Sequence, residues 1–364
     1  MKCLLSLRYG WLLPVFLFLS FATSFLFADE ILKVRVRRGD TLSYLSFKIY
    51  GRYDLQIAEV LKRENPQVRD IDRIYAGQEL RFPPREEMGK KLGDRSLTPE
   101  KPGPETETKE VRLPREPGPK PPAPLSETTV RVGKGVITYL EGQVQVKRAA
   151  ETQWSPVRPN MILSQNDQIK VSSHSRAELI LDNQSVLRLS ENTLLTLQKL
   201  EEDPTARKET ARMEISLGRL WVRVAKLFNP ASRYDVKTPA VIAGVQGTTY
   251  QVLVVDEKTT TIQVFEGAVN VYNPFPKGGP GAPEQPGQVE KPTEVAGPRE
   301  VPGPTAVSRE EWTQIVLHQY QQITVTGEEV PRPTSFDPQK ERQSEWVRWN
   351  EERDADFKPP AIPR

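Results

Sequence analysis

The sequence predicts a multidomain chain of mixed class. A small α+β module of order βααβ precedes an all-β body of many short strands, a sandwich or solenoid-like, with disordered proline-rich linkers between the parts. Three observations carry this. Residues 34–82 run through strand, turn, two short amphipathic stretches and strand. Residues 130–273 alternate Val, Ile, Leu and Thr with polar residues, broken by turn signals every ~8–12 residues, the pattern of short antiparallel strands. Of the 33 prolines, 19 fall in 84–129 and 274–307, and overall proline usage is near double the ordinary ~5%.

Residues 1–28 read as an export signal. Lys2 and Arg8 flank the start, an apolar run spans Trp11 to Ala28, and Asp29-Glu30 follow. Cleavage after Ala28 is expected. An uncleaved membrane anchor is the alternative, because the run approaches the ~17–25 residues a span needs. Either way the remainder is expected outside the cytosol, in the periplasm or cell envelope. The single cysteine, Cys3, lies in the signal. The exported part would then have no thiol for disulfides, nucleophilic catalysis or thiolate metal sites. A net charge of +3, with no basic cluster interleaved with aromatics, argues against nucleic acid.

The module follows at 31–83. Residues 32–37 alternate and make an edge strand. Gly39 suits a tight turn, and Asp40 or Thr41 can cap the next helix by accepting from its free N–H groups. Leu42, Leu45 and Ile49 share a helical face. Gly51 ends that helix, and Asp54 is placed to cap a second bearing Leu55, Ile57, Ala58 and Leu61. Asn65-Pro66 stops it, and residues 78–82 give the closing strand.

This order, with Gly39-Asp40-Thr41-Leu42 after the first strand and Asn65-Pro66 and Ile74-Tyr75-Ala76-Gly77 before the last, resembles the LysM family. The resemblance implies binding of an N-acetylglucosamine polymer such as peptidoglycan, in a shallow groove between those two loops. Carried onto this sequence, the implied glycan-binding residues are Gly39, Asp40, Thr41, Leu42, Asn65, Pro66, Ile74, Tyr75 and Gly77. Backbone groups freed by Gly and Pro suit hydroxyl and acetamido contacts, and Leu42, Ile74 and Tyr75 suit the apolar sugar face. The sequence departs from the family at Ala76, where proline is commoner, and in the charged insert 69–73.

Residues 84–129 alternate proline with Glu, Lys, Gly and Thr. They are expected to form an extended linker that cannot offset its ordering entropy. In the body, strands are predicted at 135–140, 142–147, 168–172, 177–181, 186–189, 195–200, 213–216, 219–227, 234–237, 241–245, 249–255, 260–265 and 268–272. Gly-x-apolar-x-Val recurs at Gly142, Gly218 and Gly267. Unequal spacing argues against a regular repeat, so each glycine is read as opening a strand after a turn.

Several ordered pieces in 135–272 resemble the FecR family: Trp154-Ser155-Pro156-Val157, Asn166-Asp167-Gln168-Ile169, Leu217-Gly218-Arg219-Leu220-Trp221 and Gly247-Thr248-Thr249-Tyr250 among them. Gln246 stands where the family usually has Arg. The resemblance implies an envelope location and a protein-interaction or sensing role, with an unidentified envelope protein as partner of 130–273. The family's membrane-spanning sigma-factor regulators carry a cytoplasmic domain before their membrane helix, and only about ten residues precede the apolar run here. A purely structural β domain, with Trp154 and Trp221 as core, is the alternative.

A second linker, 274–307, leads to a C-terminal piece at 308–351 and a tail at 352–364. Residues 312–325 alternate as one or two strands. Trp346 and Trp349 fall on one helical face, which should dock on the body. The two histidines, His174 and His318, have no partner at ligand or triad spacing, and no catalytic or phosphate-loop motif occurs. No catalytic residue, metal or cofactor is expected. The expected function is a non-catalytic exported envelope protein that binds peptidoglycan and presents the β body. A regulator acting in trans with a sigma-factor system, or an accessory subunit of a wall hydrolase, are the alternatives.

Overall fold

The computed structural model describes residues 31–93, 131–203, 205–225, 229–274, 312–326 and 330–357. The predicted signal, and residues 94–129 and 275–307 of the predicted linkers, lie outside them.

The module has the predicted βααβ order: β1 Leu32–Arg35, α1 Leu42–Tyr50, α2 Leu55–Glu64 and β2 Glu79–Phe82. β1 and β2 pair antiparallel, Leu32 opposite Phe82. Of the two capping candidates it is Thr41 that caps α1, accepting from the Tyr44 N–H, and Asp54 caps α2 by accepting from Ile57. The predicted linker starts later than expected. Residues 85–92 form α3, Arg85–Leu92, with Pro84 before its first turn and Gly93 closing it. Met88 is fully buried against the module and Leu92 is packed beside it. Two apolar residues at i and i+4, on one helical face, suffice to dock a segment that is charged elsewhere.

The body's strands are β3 Arg131–Val132, β4 Gly135–Glu141, β5 Val144–Lys147, β6 Ser155–Pro156, β7 Ile162–Leu163, β8 Gln168–Val171 and β9 Arg176–Leu181. They continue as β10 Val186–Leu189, β11 Thr193–Asp203, β12 Lys208–Arg223, β13 Arg233–Lys237, β14 Ile242–Val245, β15 Thr249–Val254, β16 Thr260–Glu266 and β17 Ala268–Tyr272. The C-terminal piece adds β18 Gln314–His318, β19 Gln321–Val325, β20 Thr334–Ser335, α4 Pro338–Glu341 and α5 Glu345–Asp356.

These strands form two sheets. One runs β6-β5-β8-β11-β12-β13-β14-β17-β18, with β3 also on β11. The other runs β7-β4-β9-β10-β12-β15-β16-β19-β20. Only β12–β13 is parallel among the described residues. The sheets enclose one apolar core that includes Ile137, Leu179, Leu187, Met213, Val252 and Val271. Of the two predicted architectures, the sandwich is the one formed.

The recurring glycines mark the crossings between the sheets. β4 and β5 lie in different sheets around Gly142, β16 and β17 around Gly267, and β12 changes sheet at Gly218. All three have positive φ. At Gly218, φ is 99° and an added Cβ would lie 2.5 Å from Thr193 Cα. The turn-opening role expected of Gly218 is therefore replaced by a corner inside one continuous strand, which only glycine can occupy without clash.

The second sheet is covered on both faces. Val136, Ile180 and Val186 point away from the sandwich core and join the module's core instead. Trp221 is buried, yet in a separate cluster with Phe265, Trp346 and Val347, beneath α5. Trp154 is half-buried rather than core, with Lys147 and Lys170 over its ring. The C-terminal piece contacts the body through α5, where Trp346 donates to Gln251 and the Asn350 carbonyl accepts from Arg188, and its helix runs on through residues expected as tail: α5 continues to Asp356, and Phe357 is fully buried.

Candidate functional site

The module's two loops, residues 36–41 and 65–78, face each other across a cavity of about 150 Å³. The module supplies Gly39, Asp40, Thr41, Ile71, Asp72 and Ile74, and the body closes the far side with Tyr139, Leu140, Pro159 and Asn160. Two local features bring the walls together. β4 is irregular between Ile137 and Tyr139 in its pairing with β9. Such a bulge re-aims backbone groups: the Thr138 carbonyl accepts from Thr41 Oγ1 at 2.8 Å, and the Ile137 carbonyl from Ser43 Oγ at 3.2 Å. Gly39, with φ 87°, provides the second feature: an ideal Cβ there would lie 3.0 Å from the Tyr139 ring, so any larger residue would push the ring away.

The predicted glycan-binding residues divide into three groups. Gly39, Asp40, Thr41 and Ile74 line the cavity. Leu42 is 2% exposed in the module core and Asn65 1%. Asn65 is a clamp, donating to the Leu61 and Arg81 carbonyls and accepting from the Arg81 N–H. Pro66, Tyr75 and Gly77 face solvent, Tyr75 at 68% exposure. Burial raises the pKa of Asp40 above the ordinary range, against the N–H of Arg37 that it accepts at 2.7 Å. The charged insert folds on itself, Asp70 accepting from the Asp72 N–H.

A polar network beneath α5 adjoins the cavity. Glu178 on β9 accepts from Arg188 Nε at 2.6 Å, from Arg353 Nε and Nη2 at 2.9 and 2.8 Å, and from Thr138 Oγ1 at 2.8 Å. Burial alone would raise its pKa. The guanidinium groups of Arg353 and Arg188 outweigh that and hold it at about 2. Arg353 also lies over the rings of Tyr44 and Tyr139, at 4.8 and 4.7 Å from their centroids. One turn on, Asp356 accepts from Tyr44 Oη and Lys48 Nζ, both at 2.9 Å. α5 thus holds the module's α1 and the body's β4 and β9 together.

Sequence reasoning missed Ser43, Asp72, Tyr139, Asn160 and Arg353. Their roles depend on a face of the module meeting a face of the body, for which no local pattern exists. Among the described residues no cluster of His, Cys, Asp and Glu has the makings of a metal site, and no helix is long and apolar enough to cross a membrane.

Residues 167–270 match the FecR protein family and constitute a FecR domain. The match takes in β8 to β16 and most of β17. β4 to β7 precede it within the same sandwich, and it does not reach the N-terminal module. Two crystal structures of a candidate anti-sigma factor from Parabacteroides distasonis ATCC 8503 are similar to this chain at 15% identity, with TM-scores of 0.33 and 0.32. Each similarity covers 48% of this chain and 61% of that protein, so the chain spans less than two thirds of its length. No curated protein matches the chain.

Proposed function

We propose that this chain is a non-catalytic signalling regulator of the cell envelope. In this reading it is exported, its FecR domain presents a protein-interaction surface, and its N-terminal module reads an N-acetylglucosamine polymer such as peptidoglycan. The observation that supports it best is the bridge made by Arg353. That side chain pairs with Glu178 inside the FecR domain and lies over Tyr44 of the module's first helix. A change at the module's loops therefore has a short physical route to the domain that would carry the output. The output partner is an envelope protein on the body, and a sigma-factor system acting in trans is the pathway that the FecR resemblance implies.

Transcript profiling of cells lacking the chain tests the output. A discrete set of genes should shift, and an unchanged profile overturns the regulatory reading. A static wall anchor is the second reading, favoured by the exposure of Tyr75 and Pro66 beside the groove. Cosedimentation of the full chain with purified peptidoglycan, together with an unchanged transcript profile, would select it.

A further inference from the structure

The groove between the module's loops already holds a side chain, and it comes from the body. Asn160 sits between β6 and β7 with φ 62°, the left-handed region that asparagine tolerates better than most residues. The residue is 7% exposed. Its carboxamide oxygen accepts from the Ser43 N–H at 2.8 Å. The nitrogen donates to the Ile71 carbonyl at 2.8 Å and to Asp72 Oδ1 at 3.2 Å. Ser43 lies in the first turn of α1, directly after the 36–41 loop that forms one wall of the groove; Ile71 and Asp72 lie on the loop that forms the other. One planar carboxamide thus satisfies a donor on one side and acceptors on the opposite side.

An acetamido group presents the same pair, a carbonyl acceptor and an N–H donor fixed in one plane. We propose that Asn160 is an internal stand-in for the acetamido group of an N-acetylated sugar, so that docking of the module on the body and sugar binding exclude one another. This inference rests on the glycan-reading role proposed above. The neighbouring contacts fit it. Tyr139 covers Gly39, and Thr41 and Ser43 spend their hydroxyls on the Thr138 and Ile137 carbonyls. These are polar contacts that a ligand and water can replace at little net cost. A sugar seated in the groove would expel Asn160 and Tyr139 together and uncover the bulged edge of β4, presenting new body surface to a partner.

The test is calorimetric titration of the full chain with tetra-N-acetylchitotetraose, beside two variants whose folding is checked by circular dichroism. Asn160→Gly keeps the left-handed backbone and removes the carboxamide. Asp356→Ala removes no hydrogen bond to the residues that line the cavity, but it removes the contacts of α5 to Tyr44, Lys48 and Arg37. Both should bind the sugar roughly tenfold tighter than the parent, the effect of deleting one or two net hydrogen bonds from the docked state. Equal or weaker binding by Asn160→Gly, with the parent binding measurably, overturns the exclusion and leaves the glycan reading standing. Equal binding by Asp356→Ala alone also overturns it, since the docked state would then not oppose the sugar. Failure of all three proteins to bind overturns the glycan reading and the exclusion with it.

Discussion

Glu178→Gln removes one charge from beneath α5 while keeping the shape of the side chain. The carboxylate is fully buried and meets two guanidinium groups and the Thr138 hydroxyl. Folding lowers its pKa from 4.5 to about 2, burial opposing the change and Arg353 and Arg188 driving it. At ~1.4 kcal/mol per tenfold, this corresponds to on the order of 3 kcal/mol of stability at neutral pH. The cost of breaking a buried ion pair, ~3–5 kcal/mol, agrees. Because the folded pKa is the lower one, the contribution is complete above the unfolded value of 4.5 and is lost as pH falls toward about 2. Urea unfolding followed by tryptophan fluorescence should therefore show Glu178→Gln about 3 kcal/mol less stable than the parent at pH 7. The deficit should shrink to roughly half of that at pH 3, between the folded and unfolded values. Asp182, pushed up to about 6 by burial, titrates with the opposite sign, but it is common to both proteins and cancels in the difference. A deficit that is the same at both pH values, or below ~1 kcal/mol at pH 7, would refute the reasoning.

Three further outcomes are expected. Gly218→Ala should cost roughly 3–5 kcal/mol, from its backbone clash with Thr193 and its left-handed φ, whereas Gly77→Ala, at φ 89° in open space, should cost only ~1–2 kcal/mol; urea midpoints decide. Phe357→Ala, at a fully buried ring beside Tyr44, should cost ~3–5 kcal/mol and raise amide exchange in both α1 and α5. Asn65→Ala should lose ~1–3 kcal/mol through unmade hydrogen bonds, while Tyr75→Ala should stay within ~0.5 kcal/mol and weaken chitotetraose binding in the same titration.

What could be read in the sequence was what local periodicity and turn chemistry encode. The caps at Thr41 and Asp54, the stop at Asn65 and the strand–turn rhythm of the body all appear where predicted. Several of the predicted turns hold left-handed residues, Asn166, His174, Gln184 and Asn192. What could not be read was burial imposed from outside an element. Glu178 and Arg188 occupy the polar positions of two alternating strands, which by pattern alone face water; α5 covers them. Leu42 and Asn65 share their loops with exposed residues, and only the packed fold separates core and clamp from groove. Asn160 follows a proline in a turn, and its pairing with Ser43 and Ile71 joins residues 117 and 89 positions apart.

The bridge from α5 to the module also fixes an order in time. Arg37 and Asp356 meet across 319 positions of chain. The module's own contacts are local and can form as soon as residues 31–93 are available, since chains are made and tend to fold from the N-terminus. The part of its docking made by α5 must wait for a segment synthesised some three hundred residues later, and non-local closures of that kind are slow. Every newly made molecule therefore passes through an interval in which the module is folded but not yet latched. During that interval only the body's contacts, Asn160 to Ser43 and Ile71 among them, hold the module.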